Sequence, residues 1–137
     1  MKNRILITLF ICLFAALSAN LTFAAGPGSS SLELNEELLA KGIELSKQGI
    51  AFAKEGKVAE TKKATYEALH AMSSINSSTW DRKLQSPRGK IRKAYIIAKR
   101  MIDGKARTGD SMEAAAELIQ KGVDGLLKVQ KISQHNL

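Results

Sequence analysis

The chain has 137 residues, of which 45% are hydrophobic and 5% aromatic, and its formal net charge is +8 at pH 7. Its single cysteine, Cys12, lies in an apolar N-terminal run, which excludes disulfides and thiolate metal sites from the rest of the chain. The sequence has no glycine-rich phosphate loop and, with two histidines, no convincing Ser-His-Asp set, so we expect a protein that is not an enzyme.

The N-terminus has the three parts of a secretory signal peptide. Lys2 and Arg4 precede an apolar run of 13 residues, and small residues follow it. A bilayer-spanning helix needs about 20 residues, so the run is too short for an anchor. We predict a signal peptide over 1–24, cleaved after Ala24 or alternatively after Ser18. The mature protein is then periplasmic or secreted, without a transmembrane helix.

The next segment predicts the first helical hairpin. Residues 25–31 form a flexible leader, and Ser30 followed by Glu33 is typical of a capping box that opens a helix over 32–55. Gly56 ends that helix, and the turn is so short that the next helix must return antiparallel. The first helix carries a wide apolar stripe: Leu34, Leu38, Leu39, Ile43, Leu45, Ile50 and Phe52.

The second helix is predicted over 58–75 and is followed by a polar loop, in which Trp80 is expected to close the end of the bundle. Ser86 and Pro87 predict the start of a third helix that runs to about 103, because proline at the first helical position loses no hydrogen bond. The apolar line of the second helix is Ala64, Ala68, Leu69, Met72 and Ile75, and that of the third is Ile91, Ala94, Tyr95, Ala98, Met101 and Ile102.

Gly104 and Gly109 bracket a loop, and Asp110 with Glu113 predicts a second capping box. The fourth helix continues to about 132, and 133–137 form a C-terminal tail. Its inward positions are Met112, Ala115, Ala116, Ile119, Val123, Leu126 and Leu127. Because the second hairpin repeats the architecture of the first, we predict an all-α, antiparallel four-helix bundle over 32–132. The four helices come either from one chain or from two paired chains.

The positive charge is concentrated in one segment. Between Asp81 and Arg107 there are ten basic and two acidic residues. We expect a solvated face or a surface for anionic lipid headgroups, acidic polysaccharide or an acidic partner. Nucleic acid is not favoured, since the segment lacks a series of aromatic residues for base stacking. The basic side chains outside the apolar stripe are Arg88, Lys90, Arg92, Lys93, Lys99 and Arg100.

Glu67 and His70 have the Glu-x-x-His spacing that places a carboxylate and an imidazole on one helix face, as in the metal ligands of ferritin-like bundles. The corresponding place in the fourth helix has Glu117 and Gln120, so a second pair is missing. The alternatives for Glu67 and His70 are a weak surface metal site and a solvated polar face. Three methionines could bind Cu(I) but are predicted to fill the core instead: Met72, Met101 and Met112.

The segment 37–74 contains Ala53-Lys54-Glu55-Gly56-Lys57 and then Tyr66-Glu67-Ala68-Leu69. Together with the similar hairpin over 90–129, it resembles the small metal-binding protein family of nitrifying bacteria. The resemblance implies a periplasmic four-helix bundle that binds several divalent transition metals through many histidines. The present chain has only His70 and His135. At five positions where the family has histidines, this chain has residues that are poor metal ligands: Phe52, Lys57, Ala64, Arg100 and Lys105.

The sequence leaves two functions open. The first is weak binding of a divalent metal such as Cu, Ni or Zn at Glu67 and His70, as the resemblance implies. The second is a non-catalytic interaction module that uses the basic face of the third helix against an anionic partner.

Overall fold

The computed structural model describes residues 31–75 and 78–135, with side chains described for 34–75 and 82–133. This part of the chain forms four helices and no strand: α1 Ser31–Lys54, α2 Val58–Ser73, α3 Ser78–Ile102 and α4 Met112–His135. The predicted signal peptide and the Ser30–Glu33 capping box lie outside the described residues and side chains. None of the four helices is long and apolar enough to cross a membrane.

The helices close into a bundle within one chain. Helix α1 packs against α2 and α4, and α3 packs against the same two helices, so each helix has two main neighbours. Burial of the apolar stripes drives this closure, because neither hairpin can cover its own stripe. The predicted antiparallel four-helix bundle is therefore confirmed. Its largest fully buried apolar side chains come from all four helices: Leu39, Met72, Leu84, Ile91, Ile119, Val123 and Leu126.

The predicted helix end at Gly56 is confirmed, and Gly104, predicted at the start of a loop, has the same cap geometry. Gly56 has φ 74° and Gly104 has φ 69°, a left-handed conformation that glycine adopts at little cost. The amide of Lys57 donates to the carbonyl of Phe52 at 2.9 Å, and the amide of Lys105 donates to that of Arg100 at 2.8 Å. These bonds over five residues satisfy carbonyls at the helix ends and identify two Schellman caps.

Helix α3 begins at Ser78, so the predicted start at Ser86 and Pro87 is wrong. Proline inside a helix costs about 3 kcal/mol, because a hydrogen bond is lost and the ring meets the preceding turn. Tertiary packing offsets this cost. Leu84 is fully buried, and a Cβ added to Gly125 of α4 would lie 2.7 Å from Pro87 Cγ, so the two helices meet closely at the proline. The residue Trp80 lies in α3 rather than in a loop, and its side chain is outside the described part.

The second predicted capping box is also wrong. Ser111 precedes the first residue of α4, and its hydroxyl accepts a hydrogen bond from the amide of Ala114 at 3.0 Å, as a helix cap does. The carboxylate of Asp110 is held by Arg100 instead. Helix α2 ends at Ser73, two residues before the predicted end, and α4 extends to His135, three residues past it.

Most predicted inward positions are buried or half-buried, but two are exposed. Leu34 is 39% exposed and Ile102 is 46% exposed, although both follow the helical spacing of their stripes. Each lies within four residues of a helix end, where the neighbouring helix no longer covers it. The predicted core role of the methionines is confirmed, since Met72 and Met112 are buried and Met101 packs against the core.

Candidate binding surface on helices α2 and α3

Three of the six predicted basic residues form an exposed face on α3. Arg92, Lys93 and Lys99 are exposed, and no salt bridge joins them to a carboxylate among the described residues. Ile96, which is 38% exposed, lies one turn from each of them. We call Arg92, Lys93 and Lys99 the α3 basic face.

The other three predicted basic residues lie differently. Arg88 and Lys90 are half-buried. Arg100 donates from Nε and Nη2 to the two carboxylate oxygens of Asp110, each at 2.7 Å, in a bidentate pair. Its charge is therefore compensated within the protein, and the structure removes Arg100 from the α3 basic face.

Asp110 is the best-satisfied carboxylate of the described part. Its side chain is 7% exposed, and it accepts a third hydrogen bond from the amide of Arg107 at 2.9 Å. The hydrogen bonds from Arg100, and then that from Arg107, lower the pKa of Asp110 to about 2. The pair joins the end of α3 to the residue just before the cap of α4, so it ties the ends of the connecting loop together.

A groove of about 440 Å³ lies between α2 and α3, beside the α3 basic face. Its walls combine apolar and cationic side chains, and no carboxylate is among the described residues that line it. The lining residues are Ala59, Lys62, Lys63, Tyr66, Tyr95 and Ile102. We call it the α2–α3 groove.

Two tyrosine rings lie together at this groove, and the ring of His70 stacks on one of them. Tyr66 is 56% exposed, and its ring centre is 6.1 Å from that of Tyr95, with the planes tilted by 41°. On the other side, the ring of His70 stacks on Tyr66 at 6.2 Å with an interplanar angle of 9°. The phenol hydroxyls of Tyr66 and Tyr95 form no hydrogen bond with the described residues. Both hydroxyls are thus available to a ligand.

The register of α2 against α3 brings Lys99 level with the two lysines that line the groove. The two helices are antiparallel, and Tyr66 of α2 contacts Tyr95 of α3. The position one turn before Tyr66 on α2 therefore lies level with the position one turn after Tyr95 on α3. Lys62 is therefore level with Lys99, and Lys63 follows it. None of these three lysines has a salt bridge within the described part of the chain.

A second groove, of about 430 Å³, lies between α1 and α4 and has the opposite character. Glu113 and Glu117 line it together with Lys54, so its charges are of mixed sign. The unbalanced positive charge is therefore a property of the α2–α3 side of the bundle.

The predicted metal ligands Glu67 and His70 are both exposed on α2. The imidazole stacks on Tyr66, and no group of three or more histidine, cysteine or acidic residues that could hold a metal occurs among the described residues. The side chain of His135 is outside the described part. Nothing in the structure tests weak binding by Glu67 and His70, and that site stays a prediction.

Lys62, Lys63 and Tyr66 were not predicted as site residues from the sequence. Their signal was present, since residues 59, 62, 66 and 70 follow one another at spacings of three or four along α2. Recognising the groove also required the register between two helices, which a single helical pattern does not supply.

Comparisons with protein-family models, with curated proteins and with solved structures find no match to this chain.

Proposed function

We propose that this protein is an exported, non-catalytic binding bundle that contacts an anionic partner through the α3 basic face. The observation that carries the proposal is the contrast between neighbouring cations of α3. Arg100 is neutralised by a bidentate carboxylate, whereas Arg92, Lys93 and Lys99 have no described counter-ion. Uncompensated charge of one sign attracts a partner of the opposite sign and speeds its association.

The strength of such a contact follows from the number of cations. Each Lys or Arg near an anionic membrane surface contributes about 1 kcal/mol, so three contribute about 3 kcal/mol, or roughly a hundredfold in affinity. Exposed charges are screened by salt, with a Debye length of about 10 Å at 0.1 M and about 3 Å at 1 M. The proposed contact is therefore moderate in strength and sensitive to salt.

The test is binding of the bundle to polygalacturonate and to vesicles that contain phosphatidylglycerol. The triple variant Arg92→Gln/Lys93→Gln/Lys99→Gln is expected to weaken binding at least ~10-fold. The matched control, Lys121→Gln/Lys128→Gln/Lys131→Gln, removes the same charge from exposed positions of α4 and should retain binding. Equal loss in both variants, binding that persists in 1 M salt, or no binding to either probe contradicts the proposal.

Export rests on the N-terminal pattern alone. The mass of the mature protein isolated from its cells is expected to correspond to a start at Ala25, or at Ala19 if the alternative site is used. A protein that retains Met1 and the apolar run contradicts this part of the proposal and leaves the binding surface to be tested separately.

A further inference from the structure

We infer that the α2–α3 groove binds a small amphiphilic anion, with a compact apolar body and one carboxylate, sulfonate or phosphate group. This inference rests on the proposed function, because Lys99 belongs to the α3 basic face and lies level with the groove. It adds a chemical class of ligand, which a basic surface alone does not specify.

The apolar body is accommodated by side chains that the fold leaves partly uncovered. Tyr66 and Ile102 are 56% and 46% exposed, and both line the groove together with Tyr95 and Ala59. Apolar area removed from water contributes about 25 cal/mol per Å², so a ring or short alkyl chain gains by covering these residues. A volume of about 440 Å³ is within the range of small-molecule sites.

The anionic group is placed by the lysines. Lys62 and Lys63 line the groove, and Lys99 is level with them on α3. The nearest acidic residues along the two helices, Glu60, Glu67 and Asp103, do not line the groove and form no salt bridge with these lysines. Ammonium groups form charge-assisted hydrogen bonds with carboxylate or phosphate. An anion between them also relieves their mutual repulsion.

The same arrangement argues against other occupants of this groove. A metal cation would be repelled by the two ammonium groups that line the groove, and no carboxylate among its described lining residues could compensate them. A neutral apolar molecule would leave the lysines without a counter-ion. A ligand with both an apolar body and one negative group matches the apolar and the cationic side chains of the groove. The phenol hydroxyls of Tyr66 and Tyr95, which have no hydrogen-bond partner among the described residues, can orient it.

The experiment uses two fluorescent probes that differ in charge. The anionic probe is 8-anilinonaphthalene-1-sulfonate, and the neutral one is N-phenyl-1-naphthylamine. Lys62→Gln/Lys63→Gln is expected to weaken binding of the anionic probe ~10-fold and binding of the neutral probe less than ~2-fold, because only charge-assisted contacts are lost. Tyr66→Ala should weaken both probes about fivefold, since it removes apolar contact area.

The matched control is Lys121→Gln/Lys128→Gln, which removes two exposed lysines from α4, the helix diagonal to α2. It should leave both affinities unchanged. The variants change exposed or half-buried side chains, and circular dichroism with thermal unfolding verifies that each remains folded. Equal loss in the control, or an anionic probe that is insensitive to Lys62→Gln/Lys63→Gln, overturns the inference.

Competition then identifies the ligand class. Displacement of the anionic probe by octanoate or benzoate, but not by the same concentration of inorganic phosphate, is the expected result. Displacement by phosphate alone overturns the requirement for an apolar body. If the folded protein binds polygalacturonate or vesicles but not the anionic probe, the groove inference fails while the proposed function stands. If it binds none of them, both fail.

Discussion

The two hairpins of the bundle turn on the same glycine cap but are connected differently. Residues 55–57 join α1 to α2, whereas 103–111 join α3 to α4. Closing a loop three times as long costs about 1 kcal/mol more in chain entropy. The longer loop is the one that the Arg100–Asp110 pair ties together. A glycine cap is therefore enough to end a helix, but a longer return needs an additional contact to position the next helix.

The two hairpins also differ in which atoms pack against a glycine where their helices meet. A Cβ on Gly42 of α1 would lie 2.6 Å from Cγ of Met72, a flexible side chain. A Cβ on Gly122 of α4 would lie 2.7 Å from Cγ1 of Ile91 and 3.1 Å from the backbone oxygen of Pro87. The α1–α2 contact can adjust by a rotamer change, whereas the α3–α4 contact includes backbone and a β-branched side chain, which are stiffer.

The largest expected effect tests this difference in approach. Gly122→Ala should destabilise the protein by about 2 kcal/mol, because overpacking against Pro87 and Ile91 exceeds the gain in helix propensity. Gly42→Ala should cost about 1 kcal/mol, because the buried side chain of Met72 has to turn but no backbone atom has to move. Denaturant unfolding of both variants measures the two free energies. Equal losses would show that the two helix pairs are equally adaptable.

The next effect tests whether the two caps are equivalent. Gly56→Ala and Gly104→Ala should each cost about 1 kcal/mol, since alanine is strained at positive φ and no other atom lies within 4 Å to be displaced. Gly89→Ala is the matched control, because Gly89 also has open space but lies inside α3 without a positive φ. This change should stabilise by up to about 1 kcal/mol. Unequal costs at Gly56 and Gly104 would show that the Arg100–Asp110 pair compensates for a weakened cap.

A smaller effect tests whether the Arg100–Asp110 pair stabilises the longer loop. The lowered pKa of Asp110 means that its stabilising contribution is fully present above about pH 4 and is lost as the pH falls through about 2. Asp110→Asn should therefore be less stable than the parent at pH 6, and the difference should disappear near pH 2. Thermal unfolding of both proteins across this range measures it. A difference that stays constant with pH would show that the charge of Asp110 does not stabilise the loop.

The smallest expected effect is on metal binding at the site predicted on α2, with the equivalent position of α4 as the control. If Glu67 and His70 bind Cu(II), Ni(II) or Zn(II), calorimetric titration should show weak binding that His70→Ala abolishes. The equivalent change in α4, Gln120→Ala, should leave binding intact, since Gln120 is exposed and its amide donates to Asp124. Binding that is unaffected by either substitution excludes His70 as a ligand.

Local signals in the sequence predicted most of the fold. Gly56 and Gly104 mark the helix ends, because a cap depends on a few adjacent residues. The start of α3 could not be predicted in this way, because Pro87 is tolerated inside a helix through its contact with Gly125, a residue 38 positions away in the sequence. Asp110 was misassigned as a cap for a related reason, since Arg100 holds its carboxylate and Ser111 takes the capping role.

The candidate site was predicted only in part. Arg92, Lys93 and Lys99 were identified from the charge pattern of α3, but Arg100 was not separable from them without its contact to Asp110. The α2 half of the groove depends on the register that brings Tyr66 to Tyr95. Such a register results from packing of whole helices, and no spacing within either helix encodes it.

Pro87 also interrupts the hydrogen-bond ladder of α3. Its nitrogen carries no hydrogen, so the carbonyl of Lys83 receives no helical bond from it, and the turns before and after the proline are coupled less firmly than elsewhere in the helix. Hydrogen exchange is thus expected to separate the first turns of α3 from the part that carries the α3 basic face and Tyr95. We therefore expect opening of the preceding turns to leave the α3 basic face and Tyr95 in place.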